Sequence, residues 1–377
     1  MSSLSATRPT VAEINLDALA FNFHSVKAFV GEGVEFMAVI KADAYGHGAV
    51  QCATRLETEG VDWFAVATVE EGVELRETRL TKPILVLGGF WPGQESALLN
   101  FDLTPVIFRI DQARSIAEAA RRERSTARVH VKIDTGMGRI GIRLGDVAAS
   151  AAELSTIESL HIDGLMTHFA VADDLGATHF TNLQITAFEA AVETFLAYGH
   201  RPKYIDMANS PGAVVHPRSR LKMVRIGGLL FGLGGDVLPN AVPQPTLKQV
   251  MTIKSKIAQL NTIAVGESVG YGRTFVAGRE TVVATIPIGY HDGLPRALSN
   301  KGHLLINGTR SPIIGRISMD WTTIDVTDIP DASVGDDVTI IGRSGEELIR
   351  AENVAEIADT ISYEITCGIS QRIQRHY

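Results

Sequence analysis

The stretch FMAVIKADAYGHG, residues 36–48, opens the pattern that decides the fold: a short apolar run that ends in a polar residue. Seven further apolar runs of similar length follow, with amphipathic segments between several of them. The eight runs are FMAVIK (36–41), WFAVAT (63–68), PILVLG (83–88), TPVIFR (104–109), RVHVKID (128–134), IDGLMTHF (162–169), KYIDMAN (203–209) and MVRIGGLL (223–230). Continuous apolar strands separated by helices are typical of a parallel sheet that is covered on both faces.

Two of the intervening segments show a clear helical pattern. DQARSIAEAARRE (111–123) is amphipathic, and THFTNLQITAFEAAVETFLAYG (178–199) ends in a glycine, as many helices do. Eight strand–helix units in about 230 residues predict a (β/α)8 barrel of the TIM type. The pattern alone would also fit a doubly wound sheet.

The sequence pattern changes after residue 240, where short turn sequences join the apolar runs. Asn307-Gly308 is a hairpin dipeptide, so this part predicts a mainly antiparallel β domain. One late helix is expected at AENVAEIADTI (351–361). The runs that carry this prediction are ETVVATIPIGYHDG (280–293), HLLINGTRSPIIGRISMDWTTIDV (303–326) and SVGDDVTIIGRSGE (333–346).

The boundary between the two predicted domains lies near the proline-containing segment 239–245. We expect the (β/α)8 barrel at 12–240, and the β domain at 241–377 together with residues 1–11. The formal charge of −8 gives no indication of a nucleic-acid or membrane surface. The sequence shows neither a secretion signal nor a membrane span, so we expect a cytoplasmic protein with reduced cysteines and no metal site.

Polar residues mark the carboxyl ends of several predicted strands, where barrel enzymes carry their catalytic groups. Lys41 ends the first strand, His168 the sixth and Asn209 the seventh, while Arg225 lies on the eighth. Apolar surroundings suit a lysine that acts as an amine nucleophile, because burial disfavours the charged form. A lysine that merely extends to solvent is the alternative at this position.

Two segments indicate a phosphate site on the same rim. In MANSPGAV (207–214), Ser210 stands before a proline and is expected to cap a helix. RIGGLLFG (225–232) places Gly227 and Gly228 directly after the eighth strand, where their backbone amides suit a phosphate. A lysine and a phosphate site in one barrel indicate pyridoxal phosphate, although a Schiff-base aldolase acting on a sugar phosphate would also fit.

AVIKADAYGHG (38–48) resembles the cofactor-attachment motif of the bacterial alanine racemases, and the resemblance covers nearly the whole chain. It implies a barrel plus a β domain, pyridoxal 5'-phosphate on Lys41, and interconversion of L- and D-alanine that supplies D-alanine for peptidoglycan. The further segments that follow in the family's order are VKIDTGMGRIG (131–141), GLMTHFAVAD (164–173), ANSPG (208–212), RIGGLLFG (225–232), GESVGYG (266–272), IPIGYHDG (286–293), GRISMD (315–320) and YEITCGISQRI (363–373).

The resemblance also implies a two-base mechanism in a homodimer with shared active sites. A racemase must remove the Cα proton from one face and return it to the other, and Lys41 and Tyr271 would serve the two faces. Tyr271 and Met319 of one subunit would complete the site of the other in a head-to-tail dimer. His168 and Arg225 would form a polar chain that favours loss of the Tyr271 proton.

Other roles are likewise implied by the resemblance. In the family the arginine at the Arg225 position faces the pyridine nitrogen, which should stay unprotonated because guanidinium keeps its proton. Lys132 matches a lysine that is carbamylated in many members, which would turn a cation facing Arg139 into an anion. The implied cofactor contacts are Tyr45, His168, Asn209, Ser210, Arg225, Gly227, Gly228 and Tyr363. The implied substrate contacts are Arg139, Met319 and Tyr290.

Some positions depart from the family's pattern, although none of them removes a catalytic group. They are Gly228, Phe231, Gly270, His291, Ser318 and Trp321. Three alternative functions stay open: a racemase of broader or serine preference, a barrel-type pyridoxal decarboxylase, and a non-enzymatic pyridoxal-binding protein. A decarboxylase would be expected to offer the pyridine nitrogen an acidic partner, and a binding protein would have no use for a second base.

Overall fold

The computed structural model describes residues 8–377 and divides the chain into two compact units. The first, here called the barrel unit, comprises Leu19–Ala44 and Gly48–Leu247. The second, the β unit, comprises Lys248–Tyr377, the short segment Tyr45–His47 and the described residues up to Ala18. The expectation for residues 1–11 also concerns residues 1–7, which lie outside the described part of the chain.

The first strand of the described chain, β1 (Val11–Ile14), belongs to the β unit, and the strands that follow build the barrel unit. The barrel strands are β2 (Glu35–Val39), β3 (Trp63–Val66), β4 (Ile84–Val86), β5 (Leu103–Ile107), β6 (Ala127–Asp134), β8 (Leu160–Met166), β9 (Tyr204–Ala208) and β10 (Met223–Ile226). The two-residue strand β7 (Ile142–Arg143) pairs with the end of β6.

The barrel strands are parallel and hydrogen-bonded in chain order, and the pairing of β10 with β2 closes the ring. Closure excludes the doubly wound alternative, whose sheet has open edges. The predicted (β/α)8 barrel is therefore confirmed within residues 8–377, and each predicted apolar run overlaps one barrel strand. The runs that extend past residues 166 and 226 were too long, because the backbone leaves the sheet there to form the rim.

Helices connect the barrel strands and cover them from outside. The predicted helix at 111–123 is confirmed as α6 and the one at 178–199 as α8, which ends two residues before Gly199. The helices of this part are α1 (Leu16–Val30), α2 (Lys41–Gly46), α3 (Ala49–Thr58), α4 (Val69–Glu77), α5 (Glu95–Asn100), α6 (Ile110–Arg122), α7 (Val147–Leu154), α8 (Thr178–Ala197) and α9 (Ser210–Val215).

Large rings fill the barrel interior below its rim. Trp63 meets Tyr204 edge-on with ring centroids 5.0 Å apart, and His130 stacks on Tyr204 at 5.8 Å. Gly164 provides the space for His130, because a Cβ at this position would overlap the imidazole ring. Burial lowers the pKa of His130 to about 4, so the ring packs as a neutral aromatic group.

The β unit is mainly antiparallel, as predicted, with one parallel pair between β1 and the last strand. Its further strands are β11 (Met251–Lys256), β12 (Gln259–Ile263), β13 (Ser268–Val269), β14 (Phe275–Val276), β15 (Thr281–Ile286), β16 (His303–Ile306), β17 (Thr309–Pro312), β18 (Thr322–Asp325), β19 (Asp337–Ser344), β20 (Glu347–Ile349) and β21 (Gln374–His376). Asn307 and Gly308 turn β16 into β17 with φ of 48° and 78°, which confirms the predicted hairpin.

The late helix predicted at 351–361 is shorter and is followed by a second one that the sequence pattern did not indicate. These are α10 (Ala351–Ala358) and α11 (Ser362–Cys367). Asp359 ends α10 in the left-handed region with φ of 59°, so the chain changes direction where the apolar pattern continues. Across residues 8–377, no helix has both the length and the apolar character required to cross a bilayer.

Candidate active site

The predicted site residues fall into two groups, one in each unit. The barrel unit carries Lys41, Lys132, Arg139, His168, Asn209, Ser210, Arg225, Gly227 and Gly228. The β unit carries Tyr45, Tyr271, Tyr290, Met319 and Tyr363. In the barrel group, Lys41 and His168 each lie two residues past a strand, Asn209 directly follows β9, and Arg225 lies within β10.

The segment that begins at Lys41 has an unusual backbone. Residues 42–45 all have φ between 52° and 55°, so α2 is a single left-handed turn made without glycine at these four positions. Each L-residue in this conformation costs roughly 1–2 kcal/mol. Strain of this kind persists only where the surroundings hold it, and it is frequently found at functional sites.

Two carboxylates hold the left-handed turn. Glu71 accepts the Ala42 N–H at 2.7 Å with one oxygen and the Ala67 N–H at 2.6 Å with the other. Asp43 accepts the N–H of Ala49, at the start of α3, at 2.7 Å. These bonds tie the first two residues of the turn to α4 and α3, and half-buried Lys41 directly precedes them beyond the end of β2.

Arg225 is the most deeply buried cation of the barrel group, with 3 % of its side chain exposed. Its Nη1 forms an ion pair with Asp206 of β9, and its Nη2 donates to the Thr167 carbonyl oxygen at 2.8 Å. Nη2 also lies 3.3 Å from Nδ1 of His168. Burial lowers the Arg225 pKa to about 9, which still leaves the guanidinium protonated at neutral pH.

The positive charges of the barrel group lower the pKa values of the bases near them. Burial and then the charges of Arg225 and Arg139 lower the Lys132 pKa to about 7. Burial, Arg225 and Lys132 lower the pKa of His168 to about 2, so its ring is neutral. A neutral imidazole that accepts from Arg225 at Nδ1 carries its proton on Nε2 and can donate from there.

Ser210 and Gly227 meet at the start of α9, but in different roles from those expected. The expectation that Ser210 caps the helix is wrong: Asn209 is the cap, and its side-chain oxygen accepts the Gly212 N–H at 3.0 Å. This leaves the Ser210 hydroxyl to accept the Gly227 N–H at 3.1 Å. The seventh and eighth strands are thus tied together at the rim, next to Gly228.

In the β unit, Tyr45 and Tyr363 form a pair whose rings meet edge-on with centroids 5.3 Å apart. Burial raises the pKa of Tyr45, so its hydroxyl stays protonated. The segments of Tyr290 and Met319 are also brought together, since the Tyr290 N–H donates to the Ser318 carbonyl at 3.0 Å and the His291 N–H to that of Met319 at 3.1 Å.

Tyr271 is held out from the β unit with 72 % of its surface exposed. The preceding Gly270 has φ of 74° and ψ of −177°, a conformation open essentially to glycine alone. Gly270, one of the positions noted above as a departure, therefore has a local reason, because this backbone requires glycine. Tyr271, Arg316, Ser318 and Trp321 line a shallow depression of about 380 Å³.

Two features of the barrel group were not predicted from the sequence: the left-handed turn and Asp206. A charged residue within a strand buried on both faces needs a partner, and Arg225 on the adjacent strand meets the same condition. KYIDMAN and MVRIGG, which carry these two buried charges on adjacent strands, therefore already indicate the pair. Within residues 8–377, no cluster of side chains suited to a metal ion is present.

The sequence matches two family models that follow one another along the chain. Residues 14–234 match the model of the alanine racemase N-terminal domain, and residues 250–377 match that of the alanine racemase C-terminal domain. The chain belongs to the alanine racemase family. Its enzymatic class is therefore that of an alanine racemase, an isomerase acting on amino acids.

Relatives across the alanine racemase family cover nearly the full length. The alanine racemase of Halothermothrix orenii is 43% identical over 378 residues, with 98% of this chain and 97% of the relative covered. The structure of alanine racemase from Bacillus anthracis with bound L-Ala-P has a TM-score of 0.91 at 33% identity, covering 99% and 95% of the two chains. Alanine racemase from Bartonella henselae with covalently bound pyridoxal phosphate has a TM-score of 0.87 at 30% identity, covering 99% of each chain.

Proposed function

We propose that this chain interconverts L- and D-alanine with pyridoxal 5'-phosphate held on Lys41, using Lys41 and Tyr271 as its two bases. The observation that carries the proposal is the barrel group itself. It combines an amine on a strained, anchored turn, a buried guanidinium, and a tie between Ser210 and Gly227 at the start of a helix. The covalently bound pyridoxal phosphate of the Bartonella henselae relative supports the same cofactor.

The residues present fit this cofactor by their chemistry. Lys41 supplies the amine. Ser210, whose oxygen accepts the Gly227 N–H, keeps its hydroxyl proton to donate to a phosphate, and Gly228 adds a backbone amide next to it. Tyr45 and Tyr363 would add phenolic donors, and Asn209 would keep the helix start in place. The bound cofactor would withdraw electrons from the substrate Cα, which makes the Cα proton removable.

Arg225 would face the pyridine nitrogen and donate a hydrogen bond to it. Because guanidinium remains protonated, the ring nitrogen would stay an acceptor. A weaker electron sink favours prompt return of the proton, and this limits side reactions such as transamination. His168 would contribute through its Nε2 donor, which favours loss of the proton from a tyrosine hydroxyl placed against it.

The second base would come from another copy of the chain. Tyr271 is largely exposed, beside a depression that Ser318 and Trp321 also line. We propose a head-to-tail homodimer in which Tyr271 and Met319 of one subunit complete the barrel site of the other. Lysine and tyrosine would then stand on opposite faces of the substrate, so that each removes the proton in one direction of the reaction and returns it in the other.

The substrate would be recognised by charge and by size. Arg139, exposed in the loop after β6, would bind the substrate carboxylate. Tyr290 and Met319 would restrict the side-chain space and favour the methyl group of alanine. A carbamate on Lys132 would turn this buried amine, whose pKa the charge of Arg139 helps to lower, into an anion that orients Arg139. We further propose that the product D-alanine serves peptidoglycan synthesis in the cytoplasm.

Two measurements test the proposal. The visible absorption of the protein with pyridoxal phosphate should disappear in Lys41→Ala and persist in Lys222→Ala, a matched change of an exposed lysine that precedes β10. L-alanine incubated in deuterated buffer should yield D-alanine with deuterium at Cα, and Tyr271→Phe should lower the rate by several orders of magnitude while the absorption band remains. Carbon dioxide release, or deuterium uptake that survives in Lys41→Ala, would contradict the proposal.

A further inference from the structure

Asp206 is a buried carboxylate that has no role in the proposed function. It lies in the middle of β9 with no exposed side-chain surface, and the chain around it is apolar. In the pairing of β9 with β10 it lies opposite Met223, so Arg225 is one same-face step further along the neighbouring strand. The two side chains form an ion pair inside the barrel.

The ion pair with Asp206 helps to fix the orientation of the Arg225 guanidinium. Asp206 holds Nη1, while the Thr167 carbonyl oxygen and Nδ1 of His168 lie at 2.8 and 3.3 Å from Nη2. A planar group held at two of its corners keeps one orientation. Guanidinium has five N–H groups, so donors remain for a ligand after these contacts are made.

We propose that Asp206 is a positioning residue of this site, one that aims Arg225 and balances its charge. The inference rests on the proposed function, because it concerns the hydrogen bond that Arg225 would give to the pyridine nitrogen. The charged groups around the pair are otherwise mainly cationic: Lys41, Lys132 and Arg139 with Arg225, against Asp134. Without Asp206 the cation in the barrel core would have no counter-charge among its described contacts.

The test is a charge-removing change that keeps the shape of the side chain. Asp206→Asn still offers an oxygen to Arg225 but removes one negative charge from the site. Loss of an anion lowers the pKa of protonated amines and imines nearby. The pH titration of the bound cofactor's visible band should therefore move down by roughly one unit, the size expected for charges about 10 Å apart at an effective dielectric of about 20. The pH profile of kcat/KM should move with it.

If Asp206 had a purely structural role, Asp206→Asn would reduce thermal stability without shifting the titration of the cofactor band or the pH profile of kcat/KM. Asp163→Asn is the matched control, because Asp163 is likewise a buried carboxylate paired with an arginine on an adjacent strand, Arg128, at 3.1 Å. It should lower stability and leave the band's titration unchanged. Asp206→Glu retains the charge and should bring the titration back towards the wild-type position.

The double variant Arg225→Gln/Asp206→Asn tests whether the carboxylate acts through Arg225. With Arg225 replaced there is no guanidinium left to aim, so kcat/KM of the double variant should equal that of Arg225→Gln alone, although the lost anion still lowers its titration. This comparison holds even if Asp206→Asn by itself does not fold. A further loss of kcat/KM in the double variant, or an unchanged titration in Asp206→Asn, would overturn the inference. A wild-type protein without a Lys41-dependent band would instead overturn the proposed function, so the two failures are distinguishable.

Discussion

The buried amine of Lys132 should make the folding stability depend on pH, and the size of this effect follows from the structure. The residue lies on β6 with 4 % of its surface exposed, and burial with the charges of Arg225 and Arg139 lowers its pKa from 10.5 to about 7. A difference of 10.5 − 7 = 3.5 units corresponds to roughly 5 kcal/mol at 1.36 kcal/mol per unit. Forcing a proton onto this buried amine therefore costs the folded state about that much.

The direction in which stability changes with pH follows from the number of protons that each state binds. In the unfolded chain the lysine keeps its ordinary pKa of 10.5, so between pH 7 and 10.5 the unfolded state binds more protons than the folded state. Stability should rise with pH through this window by up to roughly 1.4 kcal/mol per pH unit. Below pH 7 the full penalty applies, and above pH 10.5 it disappears.

Lys132→Met removes the titrating amine and keeps the length of the chain. Urea unfolding of cofactor-free wild type and variant should show the variant's stability advantage shrinking by about 1 kcal/mol per pH unit between pH 7.5 and 9.5. Lys222→Met, at an exposed lysine, should show no such dependence. A constant difference between wild type and Lys132→Met across the window would refute the reasoning.

The same measurement tests carbamylation of Lys132. The neutral amine adds CO2 with formation of an N–C bond and release of a proton, and the resulting carbamate no longer titrates as an amine. In bicarbonate buffer the wild type should gain stability relative to Lys132→Met, because only the folded state holds the carbamate, and its native mass should increase by one CO2. In CO2-free buffer both effects should be absent.

Two further predictions concern the backbone around the site. Gly46→Ala should destabilise the protein by at least about 2 kcal/mol, because its φ is 84° and a Cβ would overlap the Thr366 carbonyl; Gly33→Ala, with φ of 79° and open space around it, should cost only about 1 kcal/mol in the same unfolding assay. Ser210→Ala leaves the Gly227 N–H without its acceptor and should cost about 1–3 kcal/mol, with faster loss of pyridoxal phosphate on dialysis. Equal stabilities within either comparison would contradict the corresponding argument.

The barrel could be predicted because its signal is repeated. Each strand is buried on both faces, so each reads as a continuous apolar run, and the runs that ended too late still marked their strands. The hairpin at Asn307-Gly308 could be predicted because its conformation needs those residue types. In both cases the sequence signal is local and the structure requires it.

The left-handed turn after β2 could not be predicted in this way. Residues 42–45 are Ala, Asp, Ala and Tyr, and none of these prefers positive φ strongly enough to indicate four such residues in succession. The conformation depends on a carboxylate distant in sequence, that of Glu71, which accepts the Ala42 N–H. Only the folded barrel brings that acceptor to the turn, so no window of sequence contains the cause.

The cap of α9 shows a different limit. Asn209 and Ser210 are both good capping residues and stand next to each other, so propensity alone cannot choose between them. The choice is made by Gly227, whose N–H needs an acceptor and finds the Ser210 hydroxyl. Asn209 is then left to accept the Gly212 N–H. A contact between the seventh and eighth strands thus decides a feature that looks local.

The charges of the barrel group follow from a single constraint, namely that few buried cations can coexist. Arg225 keeps its charge because guanidinium loses its proton least readily and because Asp206 is in contact with it. The weaker bases therefore give up their protons instead, because burial and the charge of Arg225 lower the pKa values of Lys132 and His168. A neutral amine can take up CO2, and a neutral imidazole can accept from Arg225 while donating from its other nitrogen. If Arg225→Gln left the pKa of Lys132 unchanged in an NMR titration, this ordering of the charges would be wrong.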